Sequence, residues 1–151
     1  MEDLVEDGTV KIRAITRNDS TAIQAIRKAI SEDDAQVDSE KIIEQQVLEG
    51  AGKSSLVAEI NGDVIGYMIS TSLYAGFGIK KSAWIMAIGV HPDYMGQGIG
   101  LQLGRRICEI YKEKGIENIY SSVVWDSTDV LSFFKKLGFE RSDFINLKKK
   151  L

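Results

Sequence analysis

The sequence holds one cysteine, one histidine and one proline. Cys108 alone closes no internal disulfide, and one His with one Cys falls short of the ligand set that a zinc site of the usual kind takes. Disulfide-stapled secreted scaffolds and zinc enzymes are thereby excluded. A long apolar run is also missing: the longest, Ala83 to Val90, contains Gly89 and is far short of the ~20 residues that span a bilayer. The first residues are acidic (Glu2, Asp3, Glu6, Asp7) and lack the basic start and apolar stretch of an export signal, so the expected location is cytoplasmic. Nor is there an excess of positive charge. Nineteen Lys and Arg against 22 Asp and Glu give a formal net charge of -3, which offers no electrostatic footprint for nucleic acid. The run Lys148-Lys149-Lys150 reads as a solvated chain end. What remains is an ordinary globular composition, 44% hydrophobic and 27% charged over 151 residues, expected to fold as one domain over residues 1–151 with core enough to need no staple.

Val10 to Ile15 alternates as a half-buried strand does, and Asn18, Asp19 and Ser20 offer caps for a helix whose apolar face is Ile23, Ile26 and Ile30. An acidic break at Glu32-Asp33-Asp34 separates it from a second short helix over Asp38 to Leu48, closed by Gly50 and Gly52. Leu56 to Ile60 and Val64 to Ser70 flank Asn61-Gly62-Asp63, the strongest short-range hairpin signal, because both turn residues tolerate positive φ. A looser stretch from Leu73 to Lys81 leads to Ala83–Val90, a fully buried central strand. Ile99, Leu103, Ile107 and Ile110 then form one helical face that ends at Gly115. Ile119 to Val124 reads as a strand and Val130 to Leu137 as a helix stopped by Gly138. Phe144 to Leu147 reads as a last strand. The order β-α-α-β-β-β-α-β-α-β predicts an α/β fold, a mixed sheet flanked by helices.

The informative segment is the glycine-rich turn Met95-Gly96-Gln97-Gly98-Ile99-Gly100 between the central strand and its helix. A strand, a glycine turn and a helix N-terminus make an anion site, since unpaired backbone N–H groups and the positive end of the helix dipole converge there. A pyrophosphate suits it, because several donors share its spread charge. Two other nucleotide patterns fail. Gly52-Lys53-Ser54 lacks the first glycine of a phosphate-binding loop, which would fall at Val47. The dinucleotide fingerprint would need its third glycine at Leu101. Asn18-Asp19-Ser20 reads as a helix cap rather than a glycosylation site.

Two segments in correct order, Ile88-Gly89-Val90-His91-Pro92-Asp93-Tyr94 running into Gly96-Gln97-Gly98-Ile99-Gly100, and Phe133-Phe134-Lys135-Lys136-Leu137-Gly138-Phe139, give the chain a resemblance to the GNAT superfamily of acetyl-CoA dependent N-acetyltransferases. It covers about Val10 to Leu147. The resemblance implies a splayed sheet in which the strand ending at Val90 parts from the strand ending near Val124. It also implies pantetheine in that gap, paired with the backbone of Ile88 and Val90, and the pyrophosphate on the amides of Gly96, Gly98 and Gly100. Gly89, Met95, Gln97, Ile99, Leu101, Ser127 and Phe134 complete the implied cofactor-binding set.

Three positions depart from the family pattern. Met95 stands where Arg or Gln usually opens the glycine turn, and Ser127 stands where many members have an Asn that touches the cofactor. Phe134 stands where a Tyr commonly protonates the departing thiolate, while the carboxylate used as base in some members aligns with Ser122. No catalytic residue is therefore assigned. Asp126, Tyr120 and Glu59 are candidate relay residues. Cys108, about ten residues into the helix and so roughly 15 Å from the glycine turn, reads as a packing residue. His91 reads as a turn residue. The expected activity is acetyl transfer to a primary amine of a small molecule or peptide by direct attack, in a monomer or homodimer, with neither nucleic acid nor membrane as partner. The alternative is a coenzyme A binding sensor that has lost turnover.

Overall fold

The computed structural model describes residues 9–30, 41, 45, 54–74 and 80–151. Of the helix expected over Asp38 to Leu48 only Lys41 and Gln45 are described, both helical; the acidic stretch before it and the glycines at 50, 52, 76 and 78 lie outside the described residues. Five strands, β1 (Lys11–Ala14), β2 (Leu56–Ile60), β3 (Asp63–Leu73), β4 (Ser82–Val90) and β5 (Ile119–Ser121), form one sheet in sequential order. The pairs from β1 to β4 are antiparallel, and β4 pairs β5 in parallel. Helices α1 (Ser20–Ile30), α2 (Ile99–Glu113) and α3 (Thr128–Lys136), with 3-10 turns over Arg17–Asp19 and Pro92–Tyr94, complete the described elements.

Each helix covers the sheet with the apolar stripe that its spacing predicts, except that Ile30 at the end of α1 is exposed. Ile23 and Ile26 of α1 pack with Ile15, Val57, Tyr67 and Ile69 on one face. On the other, Ile99, Leu103, Ile107 and Tyr111 of α2 and Phe134 of α3 pack with Leu56, Ala58, Met68, Ala83 and Ile85. Each large aliphatic side chain so buried contributes about 1.5 to 3 kcal/mol. The hairpin between β2 and β3 turns at Asn61 (φ 51°) and Gly62 (φ 85°), the two positive values that a type I′ turn requires. Helix α3 seats on α2 because α2 presents no side chain there. A Cβ on Gly100 would lie 3.0 Å from Phe133 Cε1, and one on Gly104 2.5 Å from Leu137 Cδ1.

Ahead of α1, the caps work differently from the expected pattern. Asp19 accepts from the Thr16 N–H at 2.7 Å and from Arg13 at 2.8 and 2.9 Å. It thus ties β1 to the helix start rather than capping α1 alone. Burial pushes the Asp19 carboxyl up, but the hydrogen bonds and charge of Arg13, with the Thr16 N–H, outweigh it and hold it below the usual carboxylate range.

The mixed sheet with flanking helices is as expected, but three strand expectations need correction. β3 extends to Leu73 rather than Ser70. β5 ends at Ser121 rather than Val124, and Phe144 to Leu147 forms no strand. In the latter segment the Ser142 hydroxyl accepts from the Phe144 N–H and donates to the Phe144 carbonyl, each at 3.2 Å. A local side-chain turn thereby takes the backbone groups that a ladder needs. The segment touches β5 through side chains: Phe144 packs edge-on to Tyr120 at 6.4 Å, and Asn146 Nδ2 donates to Ser122 Oγ at 2.8 Å.

Candidate active site

The site is built on an irregularity in β4. Ala87 pairs with Ile69 and Ile85 with Ser70, so Met86 is an extra residue opposite no partner, a β-bulge. One inserted residue exchanges the two sides of every residue beyond it. Before the bulge, Ala83 N–H donates to Asn118 O at 3.1 Å and Ile85 O accepts from Ser121 Oγ at 3.1 Å, both toward β5. After it, His91 N–H donates to Ile65 O at 2.7 Å, toward β3. By the two-residue period of a strand, Gly89 and Ala87 also turn their backbone groups to β3, which leaves those of Ile88 and Val90 directed the other way. The side chains record the same switch: Ala83 and Ile85 lie on the α2 face, and beyond the bulge Ile88 and Val90 lie there while Ala87 joins the α1 face.

On that other side no strand among the described residues meets them. β5 pairs with β4 only over Ala83 to Ile85. Met86 to Val90 therefore borders a gap that begins beyond the Ile85–Ser121 pair, its closed end. Backbone donors and acceptors along one strand edge, with side chains turned into the core, are what an extended amide-bearing chain pairs with.

The mouth of the gap is the glycine turn. His91 Nδ1 accepts from the Asp93 N–H at 3.1 Å and starts a short 3-10 turn over Pro92–Tyr94, as a turn residue would. Gly96 (φ 79°) and Gly98 (φ 78°) are left-handed, and a Cβ on either meets no atom within 4 Å. The constraint there is backbone conformation, with open space above it. Gly98 is the N-cap of α2 and supplies no side-chain cap. The first bond of the helix runs from Gln102 N–H to Gly98 O at 3.0 Å, so the N–H groups of Ile99, Gly100 and Leu101 precede the ladder and point out of the helix end. Ile99 and Leu101 contribute backbone, since the Ile99 side chain is buried; Met95 and Gln97 are exposed.

The remaining candidates separate. Ser127 is the N-cap of α3 and its hydroxyl makes no capping bond, which leaves it free for a ligand. Phe134 is 6% exposed and its ring packs against Phe133 and Phe139 at 5.2 and 4.9 Å. Glu59, in contrast, is engaged by Arg13 Nε at 2.9 Å on β2, two strands from β4, and is not a relay residue. Tyr120 stacks on Trp84 at 5.0 Å. Asp126 lies exposed in the turn before α3. Cys108 is half-buried, and burial, with the adjacent Glu109 carboxylate, pushes its thiol up, away from the thiolate a nucleophile needs. Three residues were missed. Met86 is hidden because an all-apolar strand shows no period to break, and Trp84 and Asn146 are hidden because their partners are distant in sequence. The Trp84 Nε1–H is sealed from solvent with no hydrogen-bond partner, a desolvation cost of about 1 to 3 kcal/mol.

The acetyltransferase (GNAT) family model matches residues 20–139. The chain belongs to that family. It is 36% identical over 97 residues to an acetyltransferase of Pectobacterium atrosepticum, a match spanning 64% of this chain and 64% of that protein's own length. Among solved structures, an aminoglycoside N-acetyltransferase, AAC(6')-Iy, in complex with CoA superposes with a TM-score of 0.78 at 17% identity, covering 96% of this chain and 97% of that one. A ribosomal-protein-alanine N-acetyltransferase from Brucella melitensis gives 0.75 at 15% identity, covering 95% and 99%. At such identities the likeness is one of fold. Among the described residues no helix is long and apolar enough to cross a membrane.

Proposed function

We propose that this chain, as one acetyltransferase domain, transfers an acetyl group from acetyl-CoA to a primary amine of a small molecule or peptide by direct attack in a ternary complex. The observation that carries this reading is the gap itself: unpaired backbone of Ile88 and Val90 along one edge, with an uncapped helix N-terminus at its mouth. The bulge and the open space over Gly96 and Gly98 fit such a donor. The edge of Ile88 and Val90 takes its amides. The amides from Gly98 to Leu101 hold its pyrophosphate, and the Ser127 hydroxyl and the Phe134 ring complete the contacts. Acetyl-CoA supplies an activated thioester.

The residues act by position. The amides facing the gap take up negative charge as it builds on the carbonyl oxygen, and holding amine and carbonyl in line supplies several kcal/mol. Phe134 has no proton to give, so the thiolate leaves unaided or through water. Ser122 is no base, and its hydroxyl is held by Asn146. A lysine-type amine with a pKa of about 10.4 is almost wholly charged at neutral pH, whereas an amine near 7.7 to 8.0 is substantially neutral. The absent base therefore favours an amine of low pKa. Phe134 also favours a second reading, a coenzyme A sensor without turnover. Free-thiol release from acetyl-CoA over a panel of amines separates the two: release above spontaneous hydrolysis supports transfer, and its absence with every amine, while acetyl-CoA still binds, leaves the sensor. A working place in the cytoplasm, as monomer or homodimer, is consistent with either reading.

A further inference from the structure

The α2 side of the gap is filled: Ile88, Val90, Phe133 and Phe134 pack there into one core. An acceptor therefore approaches from the α1 side, where Ala87 lies and, by the two-residue period, Gly89. Gly89 pairs with Tyr67 of β3, and a Cβ on Gly89 would lie 2.6 Å from Tyr67 Cε1 and 2.9 Å from its hydroxyl. The ring is thus laid across β4, from the β3 side toward the gap, and only a glycine at 89 leaves room for it. Its body packs with Ile23, Ile26 and Val57. The hydroxyl at its tip makes no hydrogen bond to any described residue, whereas the other buried phenol, Tyr111, meets Ser70 Oγ at 2.8 Å. A phenol in an apolar setting ordinarily finds a partner. Among the described residues, the side-chain polar atom both sealed from solvent and unpartnered is Trp84 Nε1 alone, so the Tyr67 hydroxyl, unpartnered too, keeps an opening.

We infer that the Tyr67 hydroxyl receives the acceptor: its oxygen accepts a hydrogen bond from the attacking amine and holds the nitrogen beside Gly89, between the two residues whose backbone lines the gap. The inference rests on the transfer reading above and adds its acceptor-side residue. Burial pushes the Tyr67 phenol up, and the Arg27 charge lowers it by less, so near neutrality the group is a protonated phenol and no base. It orients an amine that is already neutral, in keeping with an acceptor of low pKa. As the C–N bond forms, positive charge builds on the nitrogen, and the hydroxyl oxygen holds its N–H more strongly than before attack. The C–S bond then breaks, CoA leaves as the thiolate and the extra proton on nitrogen passes to water.

The test is Tyr67→Phe, which keeps the ring over Gly89 and removes only the hydroxyl, assayed by free-thiol release with glycinamide, alaninamide and phenylalaninamide, α-amines of the low-pKa class. The kcat/KM for these amines is expected to fall about tenfold or more, the scale of one hydrogen bond. Tm and the calorimetric affinity for acetyl-CoA should stay at wild-type values, because the hydroxyl bonds nothing in the protein. An unchanged kcat/KM would overturn the inference, and so would a loss of Tm or of acetyl-CoA affinity that accounts for the slower rate. If acetyl-CoA binds and wild type acetylates no amine, the transfer reading fails by itself, and the contact is read by calorimetry of the same amines on the CoA-loaded protein. Binding that weakens about tenfold in Tyr67→Phe upholds it; equal binding, or none in wild type, overturns it.

Discussion

The Ser121 hydroxyl donates to the Ile85 carbonyl at 3.1 Å, and these two residues are the last pair of β4 and β5 before the two strands part. The next residue of β4 is the bulged Met86. The place where the sheet opens and the place where β4 exchanges its two sides are thus one residue apart, so the strand edge is turned to the gap where the gap begins.

The mouth of the gap lacks a cationic side chain at its first position. Met95 is 51% exposed beside Gly96, and Met95→Arg is expected to raise acetyl-CoA affinity by about 0.5 to 2 kcal/mol, the net worth of a charge-assisted hydrogen bond. Calorimetric titration checks it; an unchanged or weaker affinity would show that this side chain points away from the phosphates.

Phe134→Tyr brings a phenol to the base of the gap. The ring is held between Phe133 and Phe139, so its hydroxyl either reaches the gap or is buried without a partner, at about 1 to 3 kcal/mol. A gain in kcat of about 10²-fold or more, with little change in KM for acetyl-CoA, is expected where departure of the thiolate limits the rate. Lower stability with no gain would place the hydroxyl in the core.

Cys108→Ala is expected to leave turnover within about twofold of wild type, since the thiol is raised in pKa and sits deep in α2. Intact-mass measurement without acceptor should find no added acetyl group. An acetylated Cys108, with loss of activity in the alanine variant, would make the transfer covalent.

Much of this was legible in the sequence where local chemistry decides. Asn61-Gly62 specifies its turn by backbone conformation alone, and Gly98, Gly115 and Gly138 bound their helices at positive φ as expected. Misreadings occur where non-local partners decide. The strand expected over Phe144 to Leu147 lost to a turn made by Ser142, two residues upstream. Glu59, read as a candidate relay residue, is occupied by Arg13 from the neighbouring strand, 46 residues away in sequence. The continuous apolar run Ala83 to Val90 cannot reveal its bulge, because a residue buried on either face looks the same.

Asp19 makes the fold acid-sensitive. Its carboxyl is depressed in the folded protein, so its contribution is fully present above the unfolded pKa of about 3.9 and is lost as pH falls through the lower folded value. Asp19→Asn should cost about 1.5 to 3 kcal/mol near neutrality, and the difference in Tm from wild type should shrink below pH 4. A constant difference down to pH 2 would contradict this linkage.

The seat of the pyrophosphate is tested most directly by calorimetry of acetyl-CoA on wild type, Gly98→Ala and Gly98→Asp. Both variants carry the cost of a left-handed non-glycine residue, about 1 to 2 kcal/mol, and neither Cβ meets a neighbour. Only the aspartate sets a negative charge at the helix N-terminus. Retained binding in Gly98→Ala with binding lost in Gly98→Asp, both folded by circular dichroism, is the expected result; equal affinity in wild type and Gly98→Asp would remove the glycine turn from the site.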